Sequence, residues 1–279
     1  MSYNPEIPKN RYDNYGDLEW NRLEKDGHGE LLYHVHFDIL KRYINQDYKV
    51  LEIGAGSGRY TKDIVKMCNE LTVGDISVHQ IEFNKSKMKE LSLFDKIKMF
   101  CVLDVLNMGI FEDSSFDCIV CIGGVINYLL DKEKDGINEM LRVLKPGGTL
   151  IVGAMSFIGA SLYYLDGIRY EKDQFGIEAT KWIFNTGIQD EEHYPVPSKH
   201  YVHMMRSSEM DALFADFPVT IKERSSAGLF TQAGDSALED SRQDKEFWKL
   251  IIEKEIAFTK MQGTLDCGMN IIYVLEKNK

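Results

Sequence analysis

The chain alternates between short runs that are apolar nearly throughout and longer stretches whose apolar residues recur every three or four positions. The continuous runs are YKVLEIG (48–54), LTVGDI (71–76), IKMFCVLD (97–104), FDCIVCIGG (116–124) and TLIVGAM (149–155). They lack the in–out alternation of a half-exposed strand, which predicts a parallel sheet covered on both faces. Helical spacing falls between them, over 58–68, 77–92 and 131–143. Ahead of the first strand, HGELLYHVHFDILKRYI (28–44) sets Leu31, Leu32, Val35, Ile39, Leu40 and Tyr43 on one helical face. Strand–helix alternation at this period predicts a doubly wound α/β fold with a mostly parallel sheet. In LKPGGTL (144–150), Pro146 is expected to stop a helix and the two glycines to turn the chain into the next strand.

The flanks read differently. Residues 1–16 are polar, with Pro5, Pro8 and Gly16, and are expected to lie as an arm over the domain, followed by a short helix around 17–25. Beyond residue 156 the rhythm breaks. Residues 157–201 hold nine aromatics: Phe157, Tyr163, Tyr164, Tyr170, Phe175, Trp182, Phe184, Tyr194 and Tyr201. This stretch is too apolar for a linker and is expected to be a cap inserted over the carboxyl edge of the sheet. A helix near 207–215, a strand near 219–225, a loop, a helix at 244–261 and a last strand at 269–276 follow. The chain thus divides into an arm with the first helices (1–45), a binding core (46–156), the cap (157–205) and the C-terminal part of the sheet (206–279).

Composition narrows the partners. The chain has 279 residues, enough at roughly 150 per domain for one large domain or two small ones. Its formal charge of −11 repels phosphate backbones and anionic lipid, which argues against nucleic acid and membranes. No run approaches the roughly 18 apolar residues of a membrane span. The first twenty residues lack the apolar region of a signal peptide, so a cytoplasmic location is expected. The five cysteines (Cys68, Cys101, Cys118, Cys121 and Cys267) are sparse and odd in number, which suits free thiols in a reducing compartment. Cys118 and Cys121 form C-x-x-C, but on a strand residues three apart point to opposite faces and cannot share a metal, so no metal is expected.

The segment that carries chemistry is VLEIGAGSGRYT (50–61), an apolar strand that runs into Gly54-Ala55-Gly56-Ser57-Gly58 and then a helix. Glycines there let the backbone turn sharply and approach a ligand closely. The dinucleotide fingerprint G-x-G-x-x-G would need its third glycine at Arg59; here the glycines fall as G-x-G-x-G, with Glu52 two residues ahead. Asp75 ends the second strand, where a carboxylate can accept from a ribose diol. Asp104 ends the third, at a height where it can accept from an adenine amino group, with the Val105 amide beside it.

These features resemble the class I S-adenosylmethionine-dependent methyltransferases. The matching residues are EIGAGSG (52–58), GDIS (74–77), LDV (103–105), FDCIVCIGGVINYL (116–129) and the Leu-Lys-Pro-Gly-Gly turn (144–148), in family order over about 45–155, a little over a third of the chain. The resemblance implies that the loop from Glu52 through Gly54, Ala55, Gly56 and Gly58 passes under the methionine moiety of the cofactor, S-adenosylmethionine. Asp75 would hold the ribose and Ile76 would lie against the adenine, whose edge Asp104 and Val105 would read. Ile122 and Gly123 would line the methyl-donor end. The last strand would run antiparallel in a seven-stranded sheet. The N-terminal arm, with Tyr12, Tyr15, Trp20 and Arg22, resembles family arms that close over the cofactor.

Methyl transfer is an in-line displacement in which the protein supplies position and a dry site, so no catalytic triad is required. The stretch Ile-Gly-Gly-Val-Ile-Asn-Tyr lacks the prolines of amino-group methylases of nucleobases or glutamine, and no Pro-Cys nucleophile is present. With the aromatic cap, this points to a small-molecule acceptor methylated at nitrogen, oxygen or sulfur. His34 and His36 are two apart on a helix and cannot act as a pair. His200 and His203, in KHYVHMM, are the candidate bases, with Tyr60, Asn127 and Tyr128 as alternatives at the acceptor's height. His193, in a Glu-rich loop, is expected to be solvated, as is Asp113. A methylase of protein or RNA, a non-catalytic binding partner and a nicotinamide oxidoreductase are the competing readings. The oligomeric state is not legible.

Overall fold

Adjacent residues of each central strand enter different cores. In Cys118-Ile119-Val120-Cys121, Cys118 and Val120 face one apolar layer and Ile119 and Cys121 the other, and all four are buried. Leu150-Ile151-Val152 and Ile271 through Leu275 alternate in the same way. Both faces of the sheet are therefore covered, which is why the runs are apolar throughout. Each fully buried Leu, Ile or Val contributes about 1.5–3 kcal/mol from its transfer out of water.

The computed structural model describes residues 2–15, 20, 26–195 and 200–279. The sheet has seven strands: β1 (Lys49–Ile53), β2 (Glu70–Asp75), β3 (Met99–Val102), β4 (Phe116–Cys121), β5 (Leu144–Met155), β6 (Val219–Ala227) and β7 (Asn270–Lys277), in the order β3-β2-β1-β4-β5-β7-β6. β1 pairs in parallel with β2 and β4, and β7 runs antiparallel to both β5 and β6. This is the implied doubly wound sheet with its last strand reversed.

The helices are α1 (Glu6–Tyr15), α2 (Gly27–Tyr43), α3 (Thr61–Ile64), α4 (Val78–Glu90), α5 (Val125–Tyr128), α6 (Glu133–Val143), α7 (Phe157–Tyr163), α8 (Leu165–Phe175), α9 (Ile177–Thr186), α10 (Ser207–Ala215), α11 (Asp235–Gln243) and α12 (Lys245–Phe258). α2 buries Leu31, Leu32, Val35, Ile39 and Leu40, the stripe its spacing predicts. Asp26 caps it by accepting from the Gly29 amide at 2.9 Å. α6 opens with Glu133 and Asp135 and packs Ile137, Met140 and Leu141 on the sheet.

Several elements depart from expectation. The polar arm contains a helix, α1. The helix expected over 58–68 is one turn, because the chain tightens to three-residue bonds, Lys66 to Asp63 and Met67 to Ile64. The Pro-Gly-Gly segment is not a turn ahead of β5: the strand starts at Leu144, paired with Phe116, and Lys145–Gly148 bulge out before the register resumes at Cys118 and Thr149. α11 was not expected, since its nine residues bury only Leu238 and show no apolar stripe. The helix placed at 17–25 lies, except for Trp20, outside the described residues, as does Arg22.

Residues 157–205 leave the sheet at the carboxyl end of β5. They form α7, α8, α9 and a two-stranded ribbon, Ile188–Gln189 with Val202–His203. The base is stitched shut: the Met205 amide donates to the Met155 carbonyl at 3.0 Å and the Phe157 amide to the Met205 carbonyl at 2.9 Å. No helix among the described residues is long and apolar enough to cross a membrane.

Candidate functional site

Strand order reverses beside β1, whose neighbours are β2 and β4. Beyond the carboxyl ends of these strands a crevice is forced open, because the connecting segments leave on opposite faces. A cavity of about 280 Å³ lies there. Of the predicted cofactor residues it is lined by Glu52, Gly54, Ala55, Gly56, Asp75, Ile76, Asp104, Val105, Ile122, Gly123 and Tyr15. Tyr60 and His200 also line it.

The glycine turn is held from below. Gly54 has φ +68°, and a Cβ on it would stand 2.3 Å from Val125 Cγ2. Gly58 has φ +95°, and its Cβ would meet Asn84 Oδ1 at 2.6 Å. Only glycine suits both positions. Asn84 donates to the Gly56 carbonyl at 3.3 Å and to Thr61 Oγ1 at 3.1 Å; Thr61 in turn donates to Glu52 at 2.6 Å. Burial pushes the Glu52 carboxyl up to about 8, against the Thr61 hydrogen bond. Gly123 brings the second wall in: a Cβ there would be 2.9 Å from the Gly54 carbonyl.

Asp75 and Asp104 meet the cavity from the ends of β2 and beyond β3. Asp75 accepts from the Gly56 amide at 2.8 Å and the Ser77 amide at 2.9 Å, so it fixes the glycine turn as well as facing the cavity. Asp104 Oδ1 accepts from the Leu106 amide at 2.9 Å and from the Tyr3 hydroxyl at 3.0 Å. Burial, reinforced by Asp104, holds the Tyr3 hydroxyl far above its ordinary range.

α1 closes the open side. Pro8, Arg11, Tyr12 and Tyr15 line the cavity at i, i+3, i+4 and i+7, one helical face. From its other side Asp13 accepts from Ser77 Oγ at 2.5 Å and the His79 amide at 3.2 Å. Two histidine–tyrosine pairs complete the far end: His36 Nδ1 with the Tyr60 hydroxyl at 2.6 Å, and His200 Nε2 with the Tyr128 hydroxyl at 2.9 Å.

Some expected site residues are elsewhere. Trp20 does not line the cavity; its ring packs against the cationic ends of Arg59, Lys62 and Lys87, at 5.0, 5.7 and 5.3 Å. Gly58 shapes the turn from beneath, against Asn84, and is not in the wall. His203 is also outside the wall, because the ribbon turns its Nδ1 to Glu133 at 2.9 Å. Asn127 is a clamp: it donates to the His203 carbonyl at 2.6 Å and accepts from the Met155 amide at 2.8 Å. His193 is only partly exposed: it stacks on Trp182 at 4.1 Å and pairs with Asp190. Of the nine cap aromatics only Tyr164 lines the cavity; Phe175 packs on Tyr194 and Phe157 under Arg206. Trp182 stacks on His193 within the segment, Tyr163 stacks on His28 of α2, and Tyr170 and Phe184 are exposed.

His200 does not suit the role of base. Burial first, and then the Arg11 charge, push its imidazole down to about 3, so it stays neutral. His36 lines the cavity by itself and not as a partner of His34. The available signal was its place on the buried face of α2, one turn after Leu32, where a polar ring needs a reason to be. Tyr3 and Arg11 were also missed, since nothing in a polar arm marks them before α1 forms.

The sequence and the fold have counterparts among known proteins. Residues 50–148 match a family model described as a methyltransferase domain. Sterol 24-C-methyltransferase of Debaryomyces hansenii is 30% identical over 147 residues, 52% of this chain and 37% of that protein. Ubiquinone/menaquinone biosynthesis C-methyltransferase of Haemophilus ducreyi is 30% identical over 112 residues, 39% of this chain and 42% of that protein. The chain thus spans about two fifths of the length of these curated relatives. The solved structure of a SAM-dependent methyltransferase from Methanosarcina mazei is similar with a TM-score of 0.55 at 22% identity, over 86% of this chain and 97% of that one. That likeness is one of fold.

Proposed function

We propose that this chain, which belongs to the class I S-adenosylmethionine-dependent methyltransferase family, transfers a methyl group to a nitrogen, oxygen or sulfur atom of a small molecule. The observation that carries the reading is one cavity joining the glycine turn to two histidine–tyrosine pairs under a helical arm.

The cofactor is S-adenosylmethionine, and the residues fit it. Ser57 Oγ, on the cavity wall, is buried and has no hydrogen-bond partner among the described residues, as expected of a group whose partner is a ligand. Glu52 and the turn Gly54–Ser57 would hold the methionine end, Asp75 the ribose, and Asp104 with Val105 the adenine. When bound, the cofactor supplies an electrophilic methyl group on a sulfonium sulfur.

The remaining work falls to this chain's own residues. Leu32, Ile122, Val125, Leu129 and Met155 make the cavity's apolar wall and exclude water. Tyr12, Tyr128 and His200 form a hydrogen-bonded row that fixes the acceptor's position. Tyr60 takes the proton that an acceptor hydroxyl, thiol or ammonium loses as it becomes nucleophilic, and passes its own hydroxyl proton to His36 Nδ1. His200, neutral and weakly basic, orients Tyr128. The enclosing arm and cap support a small acceptor over a macromolecule.

The curated relatives are named as C-methyltransferases, which favours a second reading: an acceptor carbon that becomes nucleophilic by losing its proton to the same Tyr60–His36 pair.

Calorimetric titration with S-adenosylmethionine, S-adenosylhomocysteine and NADH tests the first step. Binding of both adenosyl ligands without NADH, followed by methyl uptake into small amines, phenols or thiols, is the expected result. Uptake mapped to carbon by NMR selects the second reading. If neither adenosyl ligand binds, the function proposed here fails.

A further inference from the structure

Arg11 stands on the cavity-facing side of α1, half-buried. Among the described residues it makes no hydrogen bond or ion pair. Its charge acts on His200, and that effect is a repulsion. A guanidinium held in a partly desolvated wall without a counter-charge is costly, so the site calls for an anion.

The protein's own carboxylates on that wall are already engaged. Asp75 accepts from two backbone amides, Asp104 Oδ1 from Tyr3 and Leu106, and Glu52 is hydrogen-bonded to Thr61. The second cation on the wall, Arg59, sits among the Trp20 and Tyr33 rings, next to the glycine turn. Arg11 acts instead on His200, beside the Tyr12–Tyr128–His200 row. Its sequence neighbour Tyr12 bonds Tyr128, Tyr128 bonds His200, and these follow β4 and the cap, where the acceptor sits.

We infer that the acceptor carries an oxyanion, a carboxylate or a phosphate, that Arg11 seats beside Tyr128 and His200. The inference rests on the methyltransferase reading and names the substrate class of that site. It also explains why an acidic protein keeps in its cavity an arginine that has no ion-pair partner among the described residues. A bidentate guanidinium–oxyanion contact fixes orientation as well as affinity.

The same cation could instead meet the carboxylate of the cofactor, so the test separates the two sources. The full chain is first titrated with S-adenosylhomocysteine. The saturated complex is then titrated with benzoate and with benzamide, its neutral counterpart, in wild type, Arg11→Gln and Arg11→Lys. Benzoate is expected to bind about tenfold tighter than benzamide or better. That preference should vanish in Arg11→Gln and largely survive in Arg11→Lys, with S-adenosylhomocysteine affinity unchanged in both. Equal binding of the two probes, no binding of benzoate, or a preference that survives Arg11→Gln overturns the proposal. Loss of S-adenosylhomocysteine affinity in Arg11→Gln with the benzoate preference intact assigns Arg11 to the cofactor and also overturns it. Failure of the wild type to bind S-adenosylhomocysteine is seen before any probe is added; it removes the methyltransferase reading and the acceptor assignment with it.

Discussion

The hydroxyls of Tyr12 and Tyr128 are hydrogen-bonded at 2.9 Å across 116 positions of chain, and they tie the arm helix to the segment that follows β4. The same helix is held at the β2 end by Asp13 on Ser77 and by Gln80 Nε2 donating to the Tyr12 carbonyl at 3.1 Å. An arm latched at both ends should slow ligand escape. Tyr12→Phe removes one latch at little cost in volume, and a net hydrogen bond is worth about 1 kcal/mol. S-adenosylhomocysteine affinity should fall by about fivefold by calorimetry, with a faster off-rate. Unchanged affinity and off-rate would show that this bond does not hold the arm.

Gly54→Ala places a methyl group 2.3 Å from Val125 Cγ2 at φ +68°. Strain and collision together should cost about 2 kcal/mol or more of stability and displace the turn from its ligand. Gly167, inside α8 with nothing within 4 Å of an added Cβ, is the contrast. Gly167→Ala should raise stability by up to about 1 kcal/mol. Denaturant midpoints of both variants decide; a neutral Gly54→Ala contradicts the geometry.

Burial raises the Glu52 carboxyl to about 8 in the folded protein. The folded state then binds more protons than the unfolded state between the ordinary carboxylate range and about pH 8. This group's stabilising contribution is complete below that range and is lost as pH rises through about 8. The melting temperature of wild type should therefore decline from about pH 5 to about pH 8.5 relative to Glu52→Gln, whose amide does not titrate. A constant difference between the two curves would mean that Glu52 is ionised throughout.

His36, His200 and His203 should separate cleanly. His36→Gln removes the imidazole that receives the Tyr60 proton and should lower turnover by about a hundredfold while sparing S-adenosylhomocysteine binding. His200→Gln should lower turnover less and leave the shape of the pH–rate profile intact, because a ring already neutral does not titrate there. His203→Ala should leave turnover near wild type and cost about 1 kcal/mol of stability through its Glu133 pair. A large turnover loss confined to His203 would return the role of base to that residue.

The sequence by itself determined the sheet and the near wall of the site. Strand burial on two faces writes itself as unbroken apolar runs, and a tight ligand-facing turn can only be written with glycine, so β1, β2, β4, Gly54 and Asp75 were legible from local pattern. Only the tertiary structure decided the other wall. Arg11 and His36 come from helices far apart in the chain and owe their places to the packing of those helices, and Tyr3 is placed by its hydroxyl on Asp104. Trp20 and His203 show the converse: they carry the residue types expected of a site, yet the Arg59 guanidinium and the Glu133 carboxylate hold them outside the cavity wall. Local pattern reports which face of an element is buried, because burial is a property of a few consecutive residues. It does not report what lies opposite that face: Tyr60, Tyr128 and His200 could be named as candidates, but their pairing with His36, Tyr12 and one another is made by such meetings.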